Sequence, residues 1–276
     1  MHSLQDKVAI VTGGANGIGA NIVKHFLKEG AKVVILDIND KLGYDLAEEM
    51  AATYGKDRVQ FIKCDVTQEE QLLSNFDRVS SHFGSLDVVV NNAGIADESF
   101  PMYQKQIALN YTAVITSTLR AMELMRKDKG GKGGTIINVS SVLGLNICCS
   151  GLFVYGATKS ALVHFGSSIG MEEYYSRTNV RVLTVCYGMT DTSILDSANS
   201  FDTKMHIEFK TQLDNSITRQ KMQSGDYAAS GLVECYKNGK SGSTWRVDSG
   251  TTSDISANVK KAYDILSENA IVNLLE

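Results

Sequence analysis

The chain is 276 residues long, with 43% hydrophobic residues, 21% charged residues and a single proline. That apolar share fills a sizeable core and excludes a disordered chain. With 27 basic against 31 acidic side chains there is no broad positive surface for nucleic acid.

Residues 1–7 are polar and lack the basic and apolar regions of a secretory signal. No run approaches the ~18 consecutive apolar residues of a membrane span. The five cysteines (Cys64, Cys148, Cys149, Cys186, Cys235) are odd in number and form no C-x-x-C pair. Two lie in apolar strand-like runs, where a reduced thiol serves as a small hydrophobe. The five histidines are scattered, so no metal-ligand set emerges. The expectation is a reduced, cytoplasmic protein with no transmembrane segment and no metal.

In chain order, residues 7–12, 32–37, 58–63, 86–91, 135–139, 181–187 and 243–247 are short β-branched runs that read as buried parallel strands. Helix-length segments separate them; residues 17–29 stop at Gly30. Such alternation builds right-handed βαβ units. The length fits two domains of ~150 residues or one large α/β domain, and no linker, repeat or low-complexity tract divides it. Residues 1–276 are therefore expected to form one Rossmann-like domain, a doubly wound parallel sheet of about seven strands with helices on both faces.

Between the first strand and first helix lies Gly13-Gly14-Ala15-Asn16-Gly17-Ile18-Gly19. Glycine lets the backbone turn sharply and approach a pyrophosphate, whose charge meets the helix N-terminus. The spacing departs from the common G-x-G-x-x-G, but its strand–turn–helix setting points to a dinucleotide. Asp37 ends the second strand, 18 residues after Gly19. A carboxylate there accepts hydrogen bonds from a ribose diol and repels a 2′-phosphate. Its plainer alternative is a solvated turn acid. No arginine or lysine sits beside it or in the glycine turn, which favours NAD over NADP.

Tyr155 and Lys159 lie four apart on one helix face, downstream of Ser140-Ser141 at a strand end. Alone, such a pair is an ordinary amphipathic contact. A phenol, with a pKa of about 10, is too weak an acid to serve as a base at neutral pH. A lysine ammonium and a nicotinamide cation beside it favour the phenolate.

Two regions break the rhythm. Residues 189–225 are too long and polar for a simple connection and read as a substrate lid. The C-terminal helical tail, 253–276, carries Ile255, Val259, Ala262, Tyr263, Leu266 and Ala270 at helical spacing. That stripe suits the domain's own core, a dimer partner or the pocket mouth, with core packing the simplest.

Gly13/Gly17/Gly19, Asp65, Asn91-Asn92-Ala93-Gly94, Asn110, Ser141 and Tyr155-x-x-x-Lys159, in this order, resemble the classical short-chain dehydrogenases/reductases over roughly residues 6–250. The resemblance implies that Tyr155 is the general acid/base and that Ser141, rather than Ser140, holds the substrate oxygen. It further implies that Lys159 binds the nicotinamide ribose and lowers the tyrosine pKa, while Asn110 holds a water in a proton relay. The NAD site it implies comprises Gly13, Asn16, Gly17, Ile18, Gly19, Asp37, Asp65, Val66, Asn92, Ala93, Gly94, Tyr155, Lys159, Gly188, Met189, Thr190 and Thr192. Ser141 and Tyr155 are 14 positions apart, slightly more than is usual in the family. Tyr187 stands where the family has proline, which removes a fixed φ and adds bulk; a looser nicotinamide site and a more mobile lid hinge are expected.

Within the family the chain looks like the insect alcohol dehydrogenase and 15-hydroxyprostaglandin dehydrogenase branch, photoreceptor dehydrogenase included. That branch implies NAD, alcohol oxidation and a homodimer. Leu145, Ile147, Cys148, Cys149, Leu152, Phe153 and the lid are expected to wall a mainly apolar pocket, with no arginine to clamp a carboxylate. The expected substrate is therefore a lipophilic, isoprenoid- or retinoid-like alcohol, although Ile147, Leu152 and Phe153 equally suit the core. An NADPH-dependent carbonyl reductase is opposed by Asp37. A non-catalytic NAD(H)-binding sensor or storage protein is opposed by the intact Asn110, Ser141, Tyr155 and Lys159.

Overall fold

Every residue of β1 (Val8–Thr12) and β6 (Val180–Tyr187) is buried, as strands covered on both faces must be. In the computed structural model, which describes residues 1–147, 150–214 and 222–268, both lie inside one sheet. Its other members are β2 (Lys32–Asp37), β3 (Val59–Lys63), β4 (Val88–Asn91), β5 (Gly134–Ser141), β7 (Thr244–Asp248) and β8 (Thr251–Asp254), in the order β3-β2-β1-β4-β5-β6-β7-β8. All pairs are parallel except β7 with β8.

Helices α1 (Gly17–Lys28) and α2 (Asp40–Tyr54) cover one face together with α10 (Gly225–Asn238). Ile22, Phe26, Leu46, Leu232 and Tyr236 there join Val11, Val33 and Val185 of the sheet in one core. On the other face α3 (Glu69–Phe83) and α5 (Ala113–Met125) bring Leu72, Phe76, Ala121 and Met125 against Ile10, Val34 and Ile136. Phe26 and Phe76 are wholly buried, each stabilising the fold by about 1.5–3 kcal/mol. α6 (Phe153–Ile169) packs on β5 and β6, sinking Lys159, Leu162 and Val163.

The eighth strand is one more than the pattern predicts. Ser249 and Gly250 both adopt positive φ (49° and 77°), reversing the chain so that Asp248 pairs with Thr251. β8 is short, polar and partly exposed, so no apolar alternation announced it, and it occupies the start of the expected tail. The helix beyond, α11 (Ser256–Leu266), buries no residue. The tail stripe therefore does not enter the core: Tyr263 stacks edge-on against His164 of α6 at 5.5 Å, and Leu266 is exposed. Ala270 lies outside the described residues.

Candidate active site

β1 is flanked by β2 and β4, so the chain crosses over at this point and a crevice opens beyond the strands' C-terminal ends. A cleft of about 870 Å³ occupies it, within the ~300–1,000 Å³ usual for small-molecule sites. The glycine turn forms its floor. Gly13 has φ +62°, and a Cβ there would lie 2.8 Å from Ala93 Cα; a Cβ on Gly19 would overlap the Gly13 carbonyl oxygen. Asn16 caps α1 by accepting from the Gly17 N–H at 2.8 Å. Asn92 braces the turn from β4, donating Nδ2 to the Thr12 and Gly13 carbonyls at 3.1 and 3.0 Å. A glycine-rich turn at a helix N-terminus fits a pyrophosphate.

Asp37 lines the cleft at the end of β2. Its Oδ2 accepts from Ala15 N–H at 3.0 Å and its Oδ1 from Asn39 N–H at 2.9 Å. Each oxygen keeps further acceptor capacity, so the turn role and a ribose-binding role are compatible. Asp65 likewise accepts from the Thr67 N–H and hydroxyl at 3.0 and 2.7 Å while lining the cleft with Cys64 and Val66. Ile18, Ala93 and Gly94 also border it. No arginine lines the cleft among the described residues.

Ser141, Tyr155 and Lys159 meet on the same cleft. The buried Lys159 stands over the Tyr155 ring, 5.5 Å from its centroid, and donates Nζ to the Val139 carbonyl at 3.0 Å. Burial lowers its pKa to about 8. Burial pushes the Tyr155 phenol up to about 12, against a hydrogen bond with Ser141 that pulls it down. Ser140 is committed elsewhere, donating to the Lys159 carbonyl at 2.8 Å.

Asn110 sits in a π-helical turn (Ala108–Thr112) between α4 (Tyr103–Ile107) and α5, a device often found at functional sites. It is wholly buried, clasping the Ile95 backbone: Oδ1 accepts from N–H at 2.9 Å and Nδ2 donates to C=O at 2.8 Å. A Cβ on Gly94 would lie 3.3 Å from Asn110 Oδ1 and 3.6 Å from Lys159 Nζ. The two groups thus converge behind Gly94.

After β6, Gly188, Met189, Thr190 and Thr192 line the cleft, and Asn16 reaches across to the Ser193 hydroxyl at 3.1 Å. Tyr187 packs with Leu183, Val185 and Trp245 in the core beneath α10, so its bulk is absorbed there. Its hydroxyl has no partner among the described residues. Gln223 anchors this loop. Its Nε2 donates to Thr190 Oγ1 and the Val247 carbonyl at 3.0 and 2.9 Å, and its backbone pairs with Met189 and Asp191.

Within 189–225 the chain forms α8 (Ser193–Ser197) and α9 (Thr203–Asp214), with 215–221 outside the described residues. Ala96, Leu143, Leu152, Ile194 and Ala198 cluster beside Tyr155 and form an apolar end of the cleft with Met205. Of the expected wall residues, Leu152 and the lid residues Met189, Ile194, Leu195, Ala198 and Met205 line it. Leu145, Ile147 and Phe153 turn outward into solvent. Cys148 and Cys149 lie outside the described residues.

Sequence reasoning missed Lys105 and Glu208, which line the cleft, and the buried pair Glu98 and Gln106 behind it. No local motif marks any of them.

Residues 7–203 match the family model described as short chain dehydrogenase. Human 15-hydroxyprostaglandin dehydrogenase, named for NAD(+), is 34% identical over 234 residues, covering 84% of this chain and 86% of its own length. Alcohol dehydrogenase 1 of Ceratitis capitata is 28% identical over 258 residues, covering 93% and 97%. Among solved structures, a 3-ketoacyl-(acyl-carrier-protein) reductase from Brucella melitensis complexed with NADH shares the fold. Its TM-score is 0.74 at 24% identity, over 90% of this chain and 99% of that one.

Proposed function

The chain belongs to the short-chain dehydrogenases, and from that premise we propose an NAD-dependent alcohol dehydrogenase that oxidises a lipophilic, isoprenoid- or retinoid-like alcohol. One observation carries the reading. Ser141, Tyr155 and Lys159 share a single cleft with the glycine turn and with the apolar cluster of Ala96, Leu143, Leu152, Ile194 and Ala198.

Gly13–Gly19 would hold the NAD pyrophosphate, Asp37 the adenosine ribose and Asp65 and Val66 the adenine, with Asn92, Ala93 and Gly94 lining the floor. Lys159 would hold the nicotinamide ribose, and Gly188, Met189, Thr190 and Thr192 the carboxamide. Bound NAD⁺ supplies the hydride acceptor and a positive charge beside the phenol. Ser141 donates a hydrogen bond to the substrate oxygen. Tyr155, as phenolate, takes the hydroxyl proton, and Lys159 passes it to a water held beside Asn110, behind Gly94. The apolar wall excludes water and favours an alkyl or polyene tail over a sugar. A homodimer fits the exposed apolar residues of α11, Tyr263, Ile265 and Leu266.

The test is NADH formation from 2-octanol, farnesol and retinol, with NAD⁺ and NADP⁺ in parallel. Turnover is expected with NAD⁺ and rises with the apolar length of the alcohol. Tyr155→Phe lowers kcat by about 10²–10⁴-fold while NADH binding persists. Tight NADH binding with no turnover of any alcohol or aldehyde would overturn the assignment in favour of a sensor.

A further inference from the structure

α6 carries both Tyr155 and Lys159, yet it begins without a cap of its own. Leu152 occupies the cap position and its side chain makes no cap hydrogen bond. The first amides of a helix need acceptors, which Ser, Thr, Asp or Asn at the cap normally supplies to the second and third helical residues. Here those residues are Val154 and Tyr155, and their acceptor comes from a distant loop. Glu98, only 1% exposed, accepts from Val154 N–H through Oε2 at 2.8 Å and from Tyr155 N–H through Oε1 at 2.7 Å.

The carboxylate is itself held on every side. Gln106, wholly buried, donates Nε2 to Glu98 Oε1 at 3.2 Å and accepts from Asp97 N–H at 2.6 Å. Glu98 N–H donates to the Asn199 carbonyl at 2.9 Å, and Asn199 N–H donates to the Ala96 carbonyl at 3.1 Å. Glu98 therefore joins three segments: its side chain binds the amides of Val154 and Tyr155, and its backbone ties the loop bearing Gly94 and Ala96 to the segment after β6.

We propose that Glu98 is a positioning residue for alcohol oxidation, setting where the Tyr155 phenol stands relative to the substrate wall. The inference rests on the reading of Tyr155 as the proton-transferring group. Charge-assisted bonds to two consecutive amides are among the stronger restraints a helix start can have. A misplacement of about 1 Å at a reacting group costs on the order of 10²-fold in rate. The role requires a carboxylate. Both oxygens accept, so an amide of the same shape sets an NH₂ against a backbone N–H.

The experiment compares Glu98→Gln and Glu98→Asp with the unaltered chain on whichever of 2-octanol, farnesol and retinol turns over fastest. NADH affinity and amide hydrogen exchange across residues 150–160 are measured on the same preparations. In Glu98→Gln, kcat falls about 10- to 100-fold, KM for NAD⁺ and NADH affinity stay within about twofold, and the Val154 and Tyr155 amides exchange faster. Glu98→Asp keeps two acceptor oxygens and retains more of kcat than the isosteric amide. A kcat for Glu98→Gln equal to that of the unaltered chain, or above that of Glu98→Asp, overturns the positioning role while an inactive Tyr155→Phe leaves the catalytic reading intact. Full turnover by Tyr155→Phe overturns both.

Discussion

The Tyr155 phenol is held between opposing influences, and their signs determine the pH behaviour. Burial disfavours the phenolate and Ser141 favours it; the cation of bound NAD⁺ adds a second favourable charge. On the proposed mechanism oxidation needs the phenolate, so its rate rises with pH through the phenol's pKa. Ser141→Ala deletes a contribution that lowers that pKa. The rising limb of kcat/KM for oxidation therefore moves to higher pH, and the loss is larger at neutral than at alkaline pH. A pH–rate profile with the limb unmoved would show that Ser141 acts on the substrate alone. Lys159, already brought down to about 8 by burial, loses its charge in the free protein well below the pH at which the buried phenol, at about 12, loses its proton. Its help to the phenolate is therefore greatest below its own pKa. All three residues are visible in the sequence, as a serine at a strand end and a Tyr–Lys pair at helical spacing. The direction of the Tyr155 and Lys159 shifts is not, because desolvation depends on what the other elements place around them.

At the scale of elements, the loop after β6 is held by a glutamine that sequence reasoning passed over. Gln223 is nearly buried and ties Thr190 to Val247 across the end of the sheet. Gln223→Leu keeps the volume but removes one hydrogen bond each from the Val247 carbonyl, which keeps the Gly188 N–H, and the Thr190 hydroxyl, which keeps the Gly188 carbonyl. Each lost bond costs about 0.5–1.5 kcal/mol, and the cleft wall at 188–192 loosens. The expected outcome is a melting temperature lower by several degrees together with weaker NADH binding. A lowered melting temperature with unchanged NADH affinity would confine the latch to stability. Tyr187 belongs to the same account: its substitution for proline was legible, and its consequence was not. A strand residue points to whichever face its register dictates, and here the ring lies in the core under α10.

For the whole molecule, the open question is what covers the exposed apolar side of α11. The helix contributes no buried residue, although Ser256 at its start accepts from the Thr244 amide at 3.0 Å. Removing residues 257–276 therefore leaves the fold and its melting temperature nearly unchanged. Sedimentation is expected to shift toward the monomer, or KM for the alcohol to rise. If mass and kinetics both stay the same, the stripe is surface packing and nothing more. No described helix is long and apolar enough to cross a membrane.

What the sequence by itself determined were features carried by neighbours along the chain. Strand and helix periodicity, the glycine turn, the acid at the end of β2, Ser141 and the Tyr155–Lys159 pair all rest on spacings of a few residues, where backbone geometry alone decides which side chains share a face. β8 escaped because four polar edge residues carry no period. The tertiary structure alone decided which residues close the site. Glu98 reaches Tyr155 across 57 positions, Gln223 reaches Thr190 across 33, and Asn16 reaches Ser193 across 177. Ala96 joins the apolar wall beside the lid residues Ile194 and Ala198, while Ile147 and Phe153 stay outside it, for the same reason. Contacts between distant segments are fixed by how the sheet's crossovers stack, and no local pattern of side chains encodes which loops that stacking brings together.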